Sequence, residues 1–77
     1  MKIQVKFFGM IAELTELNSM LIHNIHDIYS LKKELRLIFP KLNNCNYVFA
    51  VNKKITTNNC QFSNADEIAL LPPFAGG

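Results

Sequence analysis

The stretch DIYSLKKELRLIFP, residues 27–40, decides the fold because it carries the one long helical pattern of the chain. Its apolar residues recur at helical spacing and predict a single stripe facing a sheet: Ile28, Leu31, Leu35 and Ile38. Asp27 precedes the stripe and offers a side-chain oxygen to the free N–H groups of the first turn. Pro40 ends the helix because the residue before a proline is disfavoured in the helical conformation.

Two β-like segments precede this helix. Residues 2–8 alternate between apolar and polar side chains, which predicts a half-buried strand, and Phe8 is left on its polar face. Residues 20–25 form a second apolar run that we expect to pair with the first strand as an antiparallel neighbour. Between the two, residues 10–17 predict one or two helical turns packed on the sheet.

Three further strands are expected after the helix. A turn-rich loop at residues 43–46 leads into strands at 47–52 and 55–57, and the last strand, 68–71, is ended by Pro72. A hairpin, a helix and returning strands predict an α+β roll in which the helix covers one face of the sheet.

The composition indicates one small globular domain. The 77 residues are 49% apolar and 18% charged, enough to form a packed core. The net charge of +2 is spread along the chain without the clustered cations of a nucleic-acid-binding protein. No apolar run approaches the length of a membrane span, and the first residues alternate instead of forming a signal-peptide core. We therefore expect a cytoplasmic protein with neither nucleic acid nor membrane as a partner.

The side chains offer no enzymatic centre. His23 and His26 have no nucleophile or carboxylate at a catalytic spacing, so ordinary structural roles are expected. Cys45 and Cys60 lie in asparagine-rich turns without a zinc-binding pattern, which predicts free thiols and no metal site.

The C-terminal residues stand apart from every predicted element. Two of the three glycines are the last two residues, Gly76 and Gly77. We expect a domain at residues 1–71 and an extended tail at 72–77, where Pro72 and Pro73 favour a stiff path reaching about 15 to 18 Å. Glycines at the tip have no Cβ, so the tail can enter a narrow channel. A carboxylate is a poor electrophile, so chemistry at the tip requires activation, most simply as an acyl-adenylate made by a separate ATP-using enzyme.

Four short motifs in this order resemble the sulfur-carrier small subunit of molybdopterin synthase. They are Val5-Lys6-Phe7-Phe8-Gly9, Ala50-Val51-Asn52, Asp66-Glu67-Ile68-Ala69, and Pro72-Pro73 followed by the terminal Gly76-Gly77. The match spans nearly the whole chain. One departure is Asn64-Ala65, where the family commonly has Asp-Gly, so either Asn64 takes a positive φ or the turn type differs.

The resemblance implies a ubiquitin-like β-grasp fold, with a mixed sheet of four to five strands on one main helix. It implies that Gly77 is adenylated by an enzyme related to those that activate ubiquitin, and is then converted to a thiocarboxylate with sulfur from a donor protein. ATP and Mg²⁺ belong to the activating enzyme, and no cofactor is expected on this chain.

The resemblance further implies that the tail enters the active site of the large synthase subunit, in a heterotetramer of two small and two large subunits. Sulfur there passes to cyclic pyranopterin monophosphate, and the catalytic side chains belong to the large subunit. The tail residues are then Pro72, Pro73, Phe74, Ala75, Gly76 and Gly77. Family members dock through an apolar patch that matches Phe8, Ile55 and Leu71.

Two alternatives stay open from the sequence. The first is the related sulfur carrier for thiamine thiazole synthesis, which shares the fold and the Gly-Gly ending but tends to lack the Pro-Pro stem. The second is a ubiquitin-like protein modifier or a non-catalytic interaction module. Co-purifying partners and the chemical state of the C-terminus distinguish these three functions.

Overall fold

The computed structural model describes residues 2–64 and 66–73 of the chain. Its elements, in chain order, are β1 (Lys2–Phe7), α1 (Met10–Thr15), β2 (Ser19–His23), α2 (Ile28–Ile38), a 3₁₀ helix (Pro40–Asn44), β3 (Val48–Val51), β4 (Lys54–Thr56) and β5 (Glu67–Leu71). Each predicted strand and helix is present within one or two residues of its expected bounds. The α+β prediction is confirmed.

The five strands form one mixed sheet in the order β2-β1-β5-β3-β4. β1 pairs antiparallel with β2 and parallel with β5, whereas β3 pairs antiparallel with both β4 and β5. The first and last strands of the chain are therefore neighbours at the centre of the sheet. This arrangement confirms the β-grasp roll with a mixed sheet.

One face of the sheet packs on α2 to form the core. Leu31 and Leu35 of α2 are fully buried, as are Val5 and Ile68 of the central strands. Burying each of these side chains contributes about 1.5 to 3 kcal/mol. The helix begins at the predicted cap, because the Asp27 side chain accepts a hydrogen bond from the Ser30 N–H at 2.9 Å.

The end of α2 differs from the prediction in one residue. Ile38 was expected on the buried stripe but is 42% exposed, so that prediction is wrong. The reason is the aromatic residue that follows, Phe39, which packs edge to face against Phe7 at a centroid distance of 5.8 Å. Phe39 thereby closes this end of the core and leaves Ile38 in the rim.

The segment after α2 is also more ordered than predicted. Pro40 starts a 3₁₀ helix that continues through part of the expected loop, and it buries Leu42 to 1% exposure. Proline suits the first position of a helical turn because an N–H at that position would have no acceptor within the helix, so its absence in proline costs no hydrogen bond. The Asn-rich composition concealed this turn, because the sequence shows only one apolar residue between Pro40 and Cys45.

The segment before β5 is fixed to the start of α2. Phe62 N–H donates to the His26 carbonyl at 2.7 Å, and Ile28 N–H donates to the Cys60 carbonyl at 3.2 Å. The Asn59 side chain donates to the Asp27 carboxylate at 3.2 Å. This long connection is therefore held along its length. In residues 2–64 and 66–73, no helix has both the length and the apolar character to span a membrane.

Candidate functional site

The root of the tail is the only part of the predicted tail within the described residues. β5 ends at Leu71, and Pro72 and Pro73 follow it, the first half-buried and the second exposed. Phe74, Ala75, Gly76 and Gly77 lie outside the described residues, so their roles and the boundary at residue 72 stay predictions. Because β5 is the central strand, the tail starts from the middle of the sheet.

Gly9 makes room for the tail root. It lies between β1 and α1 with φ +57° and ψ −136°, a conformation that side chains rarely adopt. A Cβ built on Gly9 would lie 2.9 Å from Cγ of Pro72, closer than real Cβ contacts permit. Gly9 therefore allows both the positive φ of the turn and the close contact with Pro72. The sequence places Gly9 in the motif Val5-Lys6-Phe7-Phe8-Gly9 but does not indicate its contact with Pro72, and its rarity in a chain of three glycines was the available signal.

We predict that Gly9→Ala lowers the free energy of unfolding by about 2 to 4 kcal/mol, because it combines backbone strain with overpacking against Pro72. Pro72→Ala removes the Cγ atom, so Gly9→Ala/Pro72→Ala should recover at least about 1 kcal/mol of that loss. Urea unfolding of the two single variants and the double variant measures the coupling. Additive effects would contradict the proposed contact.

Asn52 fixes the start of β5. It occupies the tight turn between β3 and β4, where both Asn52 and Lys53 have positive φ values of 50° and 72°. Its side-chain oxygen accepts from Glu67 N–H at 3.0 Å, and its amide donates to Asp66 Oδ1 at 3.0 Å. The motifs Ala50-Val51-Asn52 and Asp66-Glu67 thus meet through one side chain. Asparagine suits the position because it tolerates the left-handed conformation and also supplies both hydrogen bonds.

Asp66 completes this junction. Its Oδ2 accepts from Ser63 N–H at 2.7 Å, and its own N–H donates to the Ser63 carbonyl at 3.1 Å. The Ser63 N–H first, and then the Asn52 amide, hold the pKa of the Asp66 carboxyl below its usual value. The carboxylate therefore stays ionised at neutral pH, and these bonds weaken only as the pH falls through that lowered pKa. Asn64 is not among the described residues with positive φ, and Ala65 lies outside the described residues, so the turn type there stays a prediction.

The predicted docking residues Phe8, Ile55 and Leu71 come together on the sheet face opposite α2. Leu71 pairs with Val48 on β3, and Ile55 pairs with Ala50. Phe8 continues β1 beside Leu71, since its N–H donates to the Leu70 carbonyl at 3.2 Å. Phe8 is 45% exposed and Ile55 50% exposed, whereas Leu71 is half-buried. We call this surface the open-face patch; its members are Phe8, Val48, Ala50, Ile55, Ala69 and Leu71.

Polar side chains border the open-face patch on the β1 side. Lys6 and Glu67 form an ion pair across the two central strands, with 3.0 Å between Nζ and Oε2. Both side chains are more than a third exposed, so this pair contributes little to stability. It separates the open-face patch from the open-face residues nearer the β2 edge, which are polar except for the exposed Leu21. The tail root lies at the apolar end, because Leu71 is both a patch residue and the residue before Pro72.

The other side chains considered from sequence remain apart from the tail root. Cys45 and Cys60 are half-buried, and neither forms a disulfide. Within the described ranges, no three His, Cys, Asp or Glu side chains gather where they would hold a metal ion. His23 is an exposed edge-strand residue on β2, and His26 contributes its carbonyl to the contact with Phe62.

Comparison with known proteins places these features in a family. The ThiS family model matches residues 5–77. No curated protein sequence matches significantly. Subunit 1 in the complex of molybdopterin-converting factor subunits 1 and 2 from Helicobacter pylori 26695 is similar in structure, with 26% identity and a TM-score of 0.74, and the match covers both chains completely.

Two archaeal structures share the fold at lower identity. A Pyrococcus furiosus protein assigned as molybdopterin converting factor subunit 1 is 18% identical with a TM-score of 0.80, over 94% of this chain and 97% of that one. SAMP1, a small archaeal modifier protein from Haloferax volcanii, is 19% identical with a TM-score of 0.79 over the whole of both chains. The chain therefore belongs to the ThiS family and has the ubiquitin-like β-grasp fold of its sulfur carriers and small modifier proteins.

Proposed function

We propose that this chain is the sulfur-carrying small subunit of a molybdopterin synthase, with the Gly77 carboxylate as its reactive group. The observation that carries this proposal is the position of the tail root. The central strand β5 ends beside the open-face patch, so a partner bound to the patch lies next to the root of the tail. The 26% identical Helicobacter pylori relative, itself in a complex with a second subunit, supports a partner of the same kind here.

The proposed chemistry uses the terminal carboxylate alone. A carboxylate oxygen of Gly77 attacks the α-phosphorus of ATP on the activating enzyme, forming an acyl-adenylate and releasing pyrophosphate. A persulfide on a donor protein then attacks the acyl carbon and displaces AMP, and a second donor thiol cleaves the resulting acyl disulfide, leaving the thiocarboxylate on Gly77 and a disulfide on the donor. In the large subunit, this sulfur attacks an oxygen-bearing carbon of the cyclic pyranopterin monophosphate and displaces that oxygen, and water then hydrolyses the acyl–sulfur bond, which leaves sulfur on the pterin and regenerates the Gly77 carboxylate. The domain holds and presents the tail, and the catalytic side chains belong to the partners.

The open-face patch is the proposed docking surface for the large subunit. Phe8 and Ile55 are large apolar side chains about half exposed, and they flank the small residues Ala50 and Ala69. No described helix covers this face of the sheet, so its apolar side chains are in contact with water. Binding of a partner that removes them from water lowers the free energy of the complex. Two small and two large subunits are the expected assembly, in the cytoplasm.

The test is the chemical state of the chain taken from cells. We expect a fraction whose intact mass corresponds to one oxygen replaced by one sulfur at the C-terminus, and we expect a pterin-binding synthase subunit to co-purify. Iodoacetamide should add one more group to this fraction than to the carboxylate form, because the thiocarboxylate is alkylated in addition to the free thiols of Cys45 and Cys60. Recovery of the chain only as a conjugate, with Gly77 linked to lysines of other proteins, would refute a carrier role.

A protein modifier is the second candidate, and the similarity to the small archaeal modifier proteins favours it at the level of the fold. It differs from the carrier in its product, an isopeptide bond to a lysine. The thiamine alternative predicts a thiazole synthase as the co-purifying protein. Identifying the protein that co-purifies therefore separates the two sulfur pathways, and searching for Gly-Gly remnants on lysines detects conjugation.

A further inference from the structure

We propose that a polar cavity beside α2, remote from the tail root, binds the phosphate group of a small molecule. The cavity has a volume of about 210 Å³ and lies between α2, the 3₁₀ helix and the segment that leads into β3. Its polar lining comes from Lys32, Arg36, Asn43, Asn46 and Tyr47. This proposal does not rest on the proposed function of the tail.

The charges around the cavity favour an anion. Lys32 and Arg36 are one helical turn apart on α2, which places both cations on the same side of the helix. In residues 2–64 and 66–73, the only ion pair joins Lys6 to Glu67, so neither cation has a carboxylate partner there. No Asp or Glu of the described residues lines the cavity. Two uncompensated cations with only neutral groups around them attract an oxyanion.

Tyr47 adds a hydroxyl donor at a fixed position. Burial raises the pKa of the Tyr47 hydroxyl, and the Arg36 guanidinium nearby opposes that shift. The hydroxyl therefore keeps its proton at neutral pH. Its ring packs edge to face on Phe49 at a centroid distance of 5.4 Å, which fixes the direction of the side chain. Tyr47 can thus donate to an anion held by Arg36.

The asparagine-rich segment is held in place before any ligand arrives. Leu42 is 1% exposed and forms the apolar base of the cavity. The Cys45 N–H donates to the Leu42 carbonyl at 3.1 Å, which positions the chain between Asn43 and Asn46. A site whose donors are already ordered loses less conformational entropy on binding.

Two adjacent cations indicate a phosphate group more than a carboxylate. An arginine matches a phosphate with two parallel N–H bonds, and a lysine adds a point charge to the same group. A second cavity of about 240 Å³ shares Lys32 and Tyr47 and is also lined by Ile28, Tyr29 and Phe49. The phosphate can come from free inorganic phosphate or from an ester whose body occupies this second, more apolar cavity.

The test is a titration of the ¹⁵N-labelled full chain, followed by NMR, with inorganic phosphate, AMP and adenosine. We expect saturable shifts of the backbone amides of residues 43–47, with a dissociation constant for phosphate of about 1 mM. Tighter binding of AMP would assign the source as an ester, and equal binding would assign free phosphate. Adenosine binding as tightly as AMP would overturn the proposal, because the phosphate would then contribute nothing.

Matched variants separate this cavity from general attraction of anions. Arg36→Gln should weaken phosphate binding at least about tenfold, because it removes a charge-assisted bidentate contact. Lys53→Gln makes the same change of charge in the exposed β3–β4 turn and should alter binding less than about twofold. Equal weakening by both variants, or shifts that never saturate, would overturn the proposal.

A second measurement uses the two half-buried cysteines, of which only Cys45 lines the cavity. Bound phosphate should slow the alkylation of Cys45 and leave that of Cys60 unchanged, as followed by peptide mass spectrometry. Because both thiols are in the same chain, Cys60 corrects for any effect of phosphate on the reagent or on global stability. Equal protection of both cysteines would contradict binding at the cavity.

Discussion

A chain that ends at Gly76 should keep the stability of the full chain and should lose sulfur transfer by at least about a thousandfold. The lost residue lies beyond the sheet and the core, so the urea midpoint should not move. The truncated tail is shorter by about 3.3 to 3.6 Å, and a misplacement of about 1 Å in an enzyme site already lowers a rate about a hundredfold. Thiocarboxylate formation with the purified activating enzyme and donor measures the loss.

Gly77→Ala is the matched control for this truncation, because it restores the length and adds only a Cβ atom. We expect it to accept sulfur at a rate between those of the truncated and the natural chain, if clearance at the tip matters beside reach. Binding of both variants to the large subunit, measured by calorimetry, should stay within about tenfold of the natural chain, since the open-face patch is unchanged. Sulfur transfer by the truncated chain at the natural rate would refute the role assigned to Gly77.

The second large effect should come from a charge placed in the open-face patch. Ile55→Asp is expected to weaken binding of the large subunit at least about a hundredfold, because the interface would bury a carboxylate without a partner. Ile55 is 50% exposed, so the free domain should remain folded. Calorimetric titration with the large subunit and urea unfolding of the free chain measure the two quantities separately.

Leu37→Asp is the control for this substitution. Leu37 is 74% exposed on α2, on the other side of the sheet from Ile55. The two variants change charge and size in the same way, but only one lies in the open-face patch. We expect Leu37→Asp to leave binding of the large subunit unchanged. Equal loss in both variants would place the interface elsewhere or indicate a general effect of charge.

The parts of the fold that follow from periodicity were predictable from the sequence. The alternation in residues 2–8 determines which side chains face the core, and it left Phe8 as the exception that now borders the tail root. The spacing of Leu31 and Leu35 likewise gave the buried face of α2. These patterns are local, and each is repeated several times within one element, so a single sequence is sufficient to detect them.

The features that were missed depend on contacts between distant parts of the chain. The seat of Pro72 on Gly9 joins the end of the chain to its first turn, and no local pattern indicates it. Asn52 and Asp66 similarly meet only after β3 and β5 have paired. Helical spacing predicts Ile38 at the end of the core, but Phe39 occupies that position. Ile38 is therefore exposed, and only the three-dimensional packing decides between the two residues. Partner choice depends on surfaces of other proteins, which this sequence does not encode.

The central position of β5 has a mechanical consequence. A pull on the C-terminus along β5 loads its hydrogen bonds to β1 and to β3 together, in shear, instead of opening one ladder bond by bond. A pull on the edge strand β4 would load only the ladder with β3. The rate of forced unfolding depends on the barrier to breaking the first set of hydrogen bonds. We therefore expect the domain to withstand a larger force applied through the C-terminal end of β5 than one applied through β4. An enzyme can therefore pull on the C-terminus without unfolding the domain.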